Sequence, residues 1–262
     1  LHLGHAYSAW IAWSRARAAG GSFLVRLEDI DIGRCRPEYA AAALEDLAWL
    51  GFHWDGEVRT QSAHLPEYQA AVQKLDALGL LYPCFCTRAE IAAAQAAPHG
   101  SEEKYPGTCR ALSQAERQAR MAEKPYALRL DVAKAARQAG PLRFFEEQKF
   151  WVEVDAARFG DGVLARKDTP TSYHLCVVHD DALQGVTHVT RGEDLADVTH
   201  IHVLLQRLLG LPTPVYAHHK LLLDESGKRL AKRDQSATLR AMRAAGQTPA
   251  DVIARLRGHP YG

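Results

Sequence analysis

No stretch of the 262 residues is apolar for long enough to cross a bilayer, and none reads as a signal peptide. A cytoplasmic protein with no membrane partner is therefore expected. Cysteine is scarce. The chain holds five, an odd number unevenly spread, which argues against a disulfide framework and for buried thiols or a metal. An excess of charge of one sign is missing too: the net charge is +1, so any nucleic-acid surface must be a local patch. There is no internal repeat, low-complexity tract or long linker. What is present is an ordinary globular composition, 47% hydrophobic and 24% charged, with length for one large or two modest domains.

Along the chain, an apolar stretch from Ala6 to Ala19 predicts a helix that closes on Gly20-Gly21, with Ala9, Trp10, Trp13 and Ala16 as its packing face. Ser22 to Glu28 reads as a strand covered on both faces, ending in the carboxylates Glu28, Asp29 and Asp31. Carboxyl ends of strands are where ligands sit in open α/β sheets. Helices follow, one with Pro37 near its start and Gly51 at its end, one from Leu65 to Leu78. This alternation implies a mainly parallel α/β sheet. From Leu80 to Val154 the texture changes: three cysteines, two capping boxes (Thr87 with Glu90, Ser113 with Glu116) and a strand Tyr126–Leu130 suggest an insertion with its own small core. The α/β pattern returns from Gly162. Strands are expected at Val163–Ala165 and Val186–Thr190, a buried apolar segment at Thr171–His179, and a helix at Thr199–Leu209 capped by Gly210. The last part is polar and helical.

Three clusters can carry chemistry. His2-Leu3-Gly4-His5 places imidazoles at helical i and i+3 positions. A helix N-terminus there favours an anion, Gly4 leaves room for a flat ring or phosphate, and the imidazoles offer donors to developing phosphate charge. Cys84, Cys86 and Cys109 are soft ligands flanked by turns, with His99 or Tyr105 as the fourth; chemistry alone favours His99, because tyrosinate is an unusual zinc ligand. Cys35 and Cys176, in expected helix and sheet contexts, read as unliganded. Lys228 to Arg233 concentrates four cations in six residues, and a lysine there could reach a triphosphate.

The first and third clusters, at opposite ends of one α/β chain, resemble the HIGH and KMSKS motifs of class I aminoacyl-tRNA synthetases. His2-Leu3-Gly4-His5 matches the first, and Arg229-Leu230-Ala231-Lys232-Arg233 is a loose version of the second, with Ala231 and Arg233 where serines are usual. Three further phrases look like the glutamyl branch: Leu24 to Asp31, Leu50 to Asp55, and Gly185 to Asp194. Within it, the chain resembles the short glutamyl-queuosine tRNA(Asp) synthetases. It ends about thirty residues past the lysine loop, with no room for an anticodon-binding domain, and Cys84, Cys86, Tyr105 and Cys109 are similar to their zinc site. That similarity moves the fourth ligand to Tyr105. The strand and Pro/Ser-rich loop that precede the histidine motif in the family are not in this sequence, which starts at Leu1.

The resemblance implies an α/β fold: a Rossmann-type class I catalytic domain with a zinc-bearing insertion and a short helical C-terminal tail. The first Rossmann half would span 1–79, the insertion 80–154, the second half 155–215, and the KMSKS-like loop and tail 216–262. It implies ATP-dependent activation of glutamate and its transfer to queuosine in the anticodon loop of tRNA(Asp). The alternatives are the catalytic half of an ordinary glutamyl-tRNA synthetase and a non-catalytic, synthetase-like RNA-binding protein. Residue by residue, His2 and His5 would contact the ATP phosphates beside Gly4, and Lys232 the departing pyrophosphate. Glu28, Tyr173 and Arg191 would hold L-glutamate. The implied cofactors are one structural Zn²⁺ and the Mg²⁺ that accompanies ATP, in a monomer.

Overall fold

The computed structural model describes residues 1–31, 33, 35–95, 104–222 and 238–258. The elements begin with α1 (Leu3–Ala18), β1 (Arg26–Leu27), α2 (Pro37–Trp49), β2 (Arg59–Thr60), α3 (Leu65–Ala77), β3 (Leu81–Cys84) and α4 (Arg88–Gln95). They continue with α5 (Gln114–Glu123), β4 (Ala127–Leu130), α6 (Val132–Ala139), β5 (Arg143–Glu146), β6 (Phe150–Glu153) and β7 (Val163–Ala165). The last are α7 (Tyr173–Leu183), β8 (His188–Gly192), α8 (Thr199–Leu209), β9 (Val215–His219), α9 (Leu239–Ala244) and α10 (Pro249–Arg257). Two compact units emerge, one built from 1–60, 188–196 and 216–262, the other from 61–187 and 197–215.

In the first unit, α1 buries Leu3, Ala6, Tyr7, Trp10 and Ile11, a stripe of helical period, against Phe23, Val25, Leu47, Leu50, Phe52, Leu239, Met242, Val252 and Leu256. Ala9, Trp13 and Ala16 lie on the margin of that stripe, so the packing face is turned from the expected one. The expected strand from Ser22 shrinks to Arg26–Leu27, paired in parallel with Arg59–Thr60. The reason is Asp55. Its Oδ2 accepts the Phe23 N–H at 2.9 Å and its own N–H donates to the Phe23 carbonyl at 2.8 Å, which takes the backbone groups a sheet partner would need. The Arg17 guanidinium bonded to Asp55, with the Phe23 N–H, holds that carboxyl below its ordinary range. Phe23 and Val25 still alternate into the core.

The second unit departs from a mainly parallel sheet. β3, β4 and β7 pair antiparallel in that order, and β5 and β6 form an antiparallel hairpin. All four residues of β3 are buried. Leu80 and Leu130 share one core with Leu75, Leu164, Leu175, Ile201 and Leu204, so the strands that carry the cysteine loop pack directly on α3, α7 and α8. Both capping boxes form: Thr87 and Glu90 exchange bonds of 3.2 and 2.6 Å, and Ser113 and Glu116 cap α5. Thr171–His179 runs into helix, so Cys176 sits in α7 and not in a sheet; Cys35 precedes α2, whose start Pro37 fixes. β8 begins two residues later than expected because the Val186 N–H is committed to the Asp181 carbonyl at the end of α7. Gly210 closes α8 in the left-handed conformation, φ 71°, as its position predicts.

Candidate functional site

The start of α1 is set by histidine chemistry. His2 is extended, not helical, and caps the helix: its Nδ1 accepts the Gly4 N–H at 3.1 Å and the His5 N–H at 3.4 Å. His5 reciprocates, its Nδ1 accepting the His2 N–H at 3.3 Å. This is a capping box made of two imidazoles in place of the usual hydroxyl and carboxylate. The rings stack at 3.6 Å between centroids. They meet through capping geometry and not, as i and i+3 spacing suggested, by sharing a helix face. Because both Nδ1 atoms are acceptors, each ring carries its proton on Nε2. Gly4 is required by the cap itself: a Cβ there would stand 3.0 Å from His2 Cε1.

His2 also forms an antiparallel bridge with Thr238, and the Leu239 N–H donates to the Leu1 carbonyl at 3.0 Å. The chain just after the lysine-rich segment is thereby stitched to the histidine motif. Lys232 and the rest of Arg229–Arg233 lie outside the described residues, as does His99.

In the same unit, Glu28 follows β1 and receives Arg26 Nη2 at 3.2 Å, its side chain 40% exposed. Arg191, on β8, donates from Nε to His218 Nε2 at 3.2 Å and lies 5.3 Å from the centre of the Tyr216 ring. His219, the next residue of β9, turns the other way, and its Nε2 pairs with Ser8 Oγ of α1 at 3.0 Å. Its Nδ1 faces the Lys220 carbonyl at 2.9 Å and must carry the proton, so Ser8 is the donor. Sequence reading missed both histidines. Their signal was present in Tyr216-Ala217-His218-His219, since neighbours on a strand point to opposite faces. Tyr173 belongs to the second unit, where it opens α7, packs half-buried against the core and lies 5.9 Å from the His202 ring.

Also in the second unit, β3 ends on Cys84, and the loops after it bring Cys86, Tyr105 and Cys109 to the same point. The three sulfurs lie within 4.8 Å of one another, with Cys86 and Cys109 at 3.5 Å. Tyr105 Oη is 3.4 Å from Cys84 Sγ and 3.4 Å from Cys86 Sγ, and it accepts the Cys109 N–H at 2.9 Å. A tetrahedral zinc with Zn–S of about 2.3 Å and Zn–O of about 2.0 Å requires S···S of about 3.8 Å and S···O of about 3.5 Å. The separations of 3.4–3.5 Å between Cys86 and Cys109 and from Tyr105 Oη to Cys84 and Cys86 are close to those such an ion requires, and the three thiols could hold one. Burial, then hydrogen bonds with the thiols, push the Tyr105 phenol well above its usual range. Burial likewise lifts Cys86 to about 11. Burial also acts to raise Cys109, but bonds from Tyr105 and the Phe85 N–H outweigh it and hold that thiol low. Lys167 Nζ braces the loop through the Phe85 and Cys86 carbonyls at 3.2 and 3.4 Å.

A family model described as the catalytic domain of class I tRNA synthetases (E and Q) matches residues 1–259. The chain is 49% identical over 262 residues to the glutamyl-Q tRNA(Asp) synthetase of Rhodobacter capsulatus, spanning 96% of this chain and 94% of that one. It is 44% identical over 273 residues to the protein of the same name from Symbiobacterium thermophilum, spanning 98% of this chain and 81% of that one. Among solved structures, a glutamate tRNA ligase from Elizabethkingia meningosepticum in complex with its amino acid superimposes with a TM-score of 0.75 at 27% identity. That likeness covers 89% of this chain and 50% of the ligase. A Mycobacterium tuberculosis methionyl-tRNA synthetase, at 12% identity, TM-score 0.57, and covering 100% of this chain and 62% of its own, shares the fold.

Proposed function

The chain belongs to the class I tRNA synthetases of the glutamate and glutamine type, and on that basis we propose that it activates glutamate with ATP and transfers it to queuosine in tRNA(Asp). The observation that carries the reading is near-full-length identity to proteins named for that activity, joined to a histidine pair locked with both Nε2–H groups as donors.

In this reading the glutamate carboxylate attacks the α-phosphate of ATP, pyrophosphate leaves, and the glutamyl-adenylate acylates queuosine. His2 and His5 hold their protons on Nε2 because Nδ1 is occupied, so they donate to phosphate oxygens without reorganising. The first amides of α1 beside Gly4 add fixed positive potential. Lys232 counters the departing pyrophosphate. It stands six positions before Thr238, the residue bridged to His2. Glu28 takes the substrate ammonium. Arg191, its fork oriented by His218, takes a substrate carboxylate, and the family resemblance gives Tyr173 a role in holding glutamate. Mg²⁺ arrives with ATP and neutralises phosphate charge. Cys84, Cys86, Tyr105 and Cys109 hold one structural zinc, which would pin the loop after β3. No helix among the described residues is long and apolar enough to cross a membrane, and the enzyme acts in the cytoplasm as a monomer.

The test is ATP–pyrophosphate exchange with glutamate, aspartate or glutamine and no RNA, followed by labelled-glutamate transfer to tRNA(Asp) with and without queuosine. Exchange with glutamate alone, and transfer only to queuosine-bearing tRNA(Asp), are expected. Exchange that requires tRNA(Glu) would replace the reading with an ordinary glutamyl-tRNA synthetase. No exchange at all would end it.

A further inference from the structure

Arg129 is a buried cation in search of an anion. It lies on β4, is 9% exposed, and its guanidinium carbon stands 3.8 Å from the centre of the Tyr105 ring. Its one hydrogen bond runs from Nη1 to a backbone carbonyl, that of Asp161, at 2.7 Å, while Nε is buried without a partner. The Asp161 carboxylate is held instead by Tyr82 at 2.6 Å, Arg110 at 2.8 Å and the Val132 N–H at 3.0 Å. Among the described residues no carboxylate forms an ion pair with Arg129. A charge removed from water without a counter-charge is costly, so a buried guanidinium placed this way signals an anion that other groups complete.

The neighbouring ligand set supplies one. Three thiolates and a phenolate oxygen around a divalent cation leave a net charge of about −2. Lys167 meets the rim of that site through loop carbonyls, but among the described residues it is Arg129 that lies buried against a ligand's own ring. We infer that Arg129 is the counter-charge of the metal centre: fixed over Tyr105, it balances the negative charge of the ligand set and makes tyrosine a serviceable fourth ligand. The inference rests on the zinc reading above and names the residue that sets the affinity and ligand choice of that site.

The test measures zinc affinity of the full chain by competition with a chromophoric chelator, together with cobalt(II) absorption spectra. The proteins compared are the parent, Arg129→Met, Arg129→Lys, Tyr105→Phe and the Tyr105→Phe/Arg129→Met double variant. Arg129→Met is expected to bind zinc about 10- to 100-fold more weakly, the usual effect of losing an outer partner of a ligand. Arg129→Lys should recover part of the loss, keeping the charge without the planar stack. In the Tyr105→Phe background the Arg129→Met change should cost less, because the phenolate share of the charge it balances is gone. The cobalt spectrum of Arg129→Met should lose its phenolate contribution. Arg129→Met with the parent's affinity, or an equal loss in both backgrounds, overturns the inference and leaves Arg129 as a brace for Asp161. Thermal melts of the metal-free proteins check folding; if Arg129→Met melts early, the same comparison made with Arg129→Lys decides. A parent that takes up no zinc refutes the metal reading itself, and Arg129 with it.

Discussion

Replacing Gly4 by alanine should separate stability from catalysis. The new Cβ would stand 3.0 Å from His2 Cε1 and 3.1 Å from His2 Nδ1, whereas such atoms settle at about 3.5–4.0 Å. The ring must retreat by about half an ångström. Its bonds to the Gly4 and His5 N–H groups, 3.1 and 3.4 Å now, would stretch to or past the useful limit. Loss of an N-cap costs about 1 kcal/mol. Glycine to alanine in a helix returns up to about 1 kcal/mol. The terms nearly cancel, and at about 2–4 °C per kcal/mol for a chain of this size the melting temperature should move by no more than a few degrees. Activity has no such offset. A misplacement of about 1 Å can cost about 100-fold, so half of that should lower kcat of glutamate-dependent exchange about tenfold. Melting and exchange are measured on one preparation. Exchange at the parental rate would refute the role of the His2 ring, and a fall in both together would refute the claimed separation.

Three further outcomes follow from the same geometry. Asp180 is fully buried, and its Oδ2 accepts from both Tyr68 and Gln61 at 2.9 Å; Asp180→Asn should cost about 1–3 kcal/mol in urea unfolding, because two charge-assisted bonds become neutral ones and the new amide N–H has no acceptor in that pair of donors. Burial first, then the Arg158 charge, lowers the pKa of His200 in the fold, so the unfolded chain binds its proton more readily. That contribution is present above about pH 6.5 and is lost as pH falls through that value towards the folded pKa. His200→Asn, which keeps an acceptor for the Asp155 N–H, should therefore flatten the fall in urea midpoint on the acid side. Arg191→Lys should raise KM for glutamate about 10- to 100-fold, the worth of a charge-assisted hydrogen bond, and leave KM for ATP unchanged in exchange kinetics.

Signals that are local in the chain were legible in the order of residues. The span of α3, the Gly210 cap, the Thr87 and Ser113 boxes, the strand at Val163–Ala165 and the thiol cluster all depend on neighbours within a few residues or on side-chain type, and the fold contains them. The histidine motif was equally plain. Its geometry was not, because pairing His2 with Thr238 joins the two ends of the chain. The shortening of the first strand was hidden for the same reason: Asp55 takes the Phe23 backbone groups across thirty-two positions.

Residue chemistry and order thus determined the family, the thiol cluster and the bounds of helices such as α3 and α8, since caps, apolar period and motif spacing are properties of short stretches. Tertiary structure alone decided that β3, β4 and β7 run antiparallel, and that Tyr105 Oη stands 3.4 Å from two of the three thiols. It alone set Arg129 over the Tyr105 ring. Each of these depends on which distant strands and loops are brought within a few ångströms of one another. Short-range propensity carries no record of that; long-range packing of the shared core fixes it.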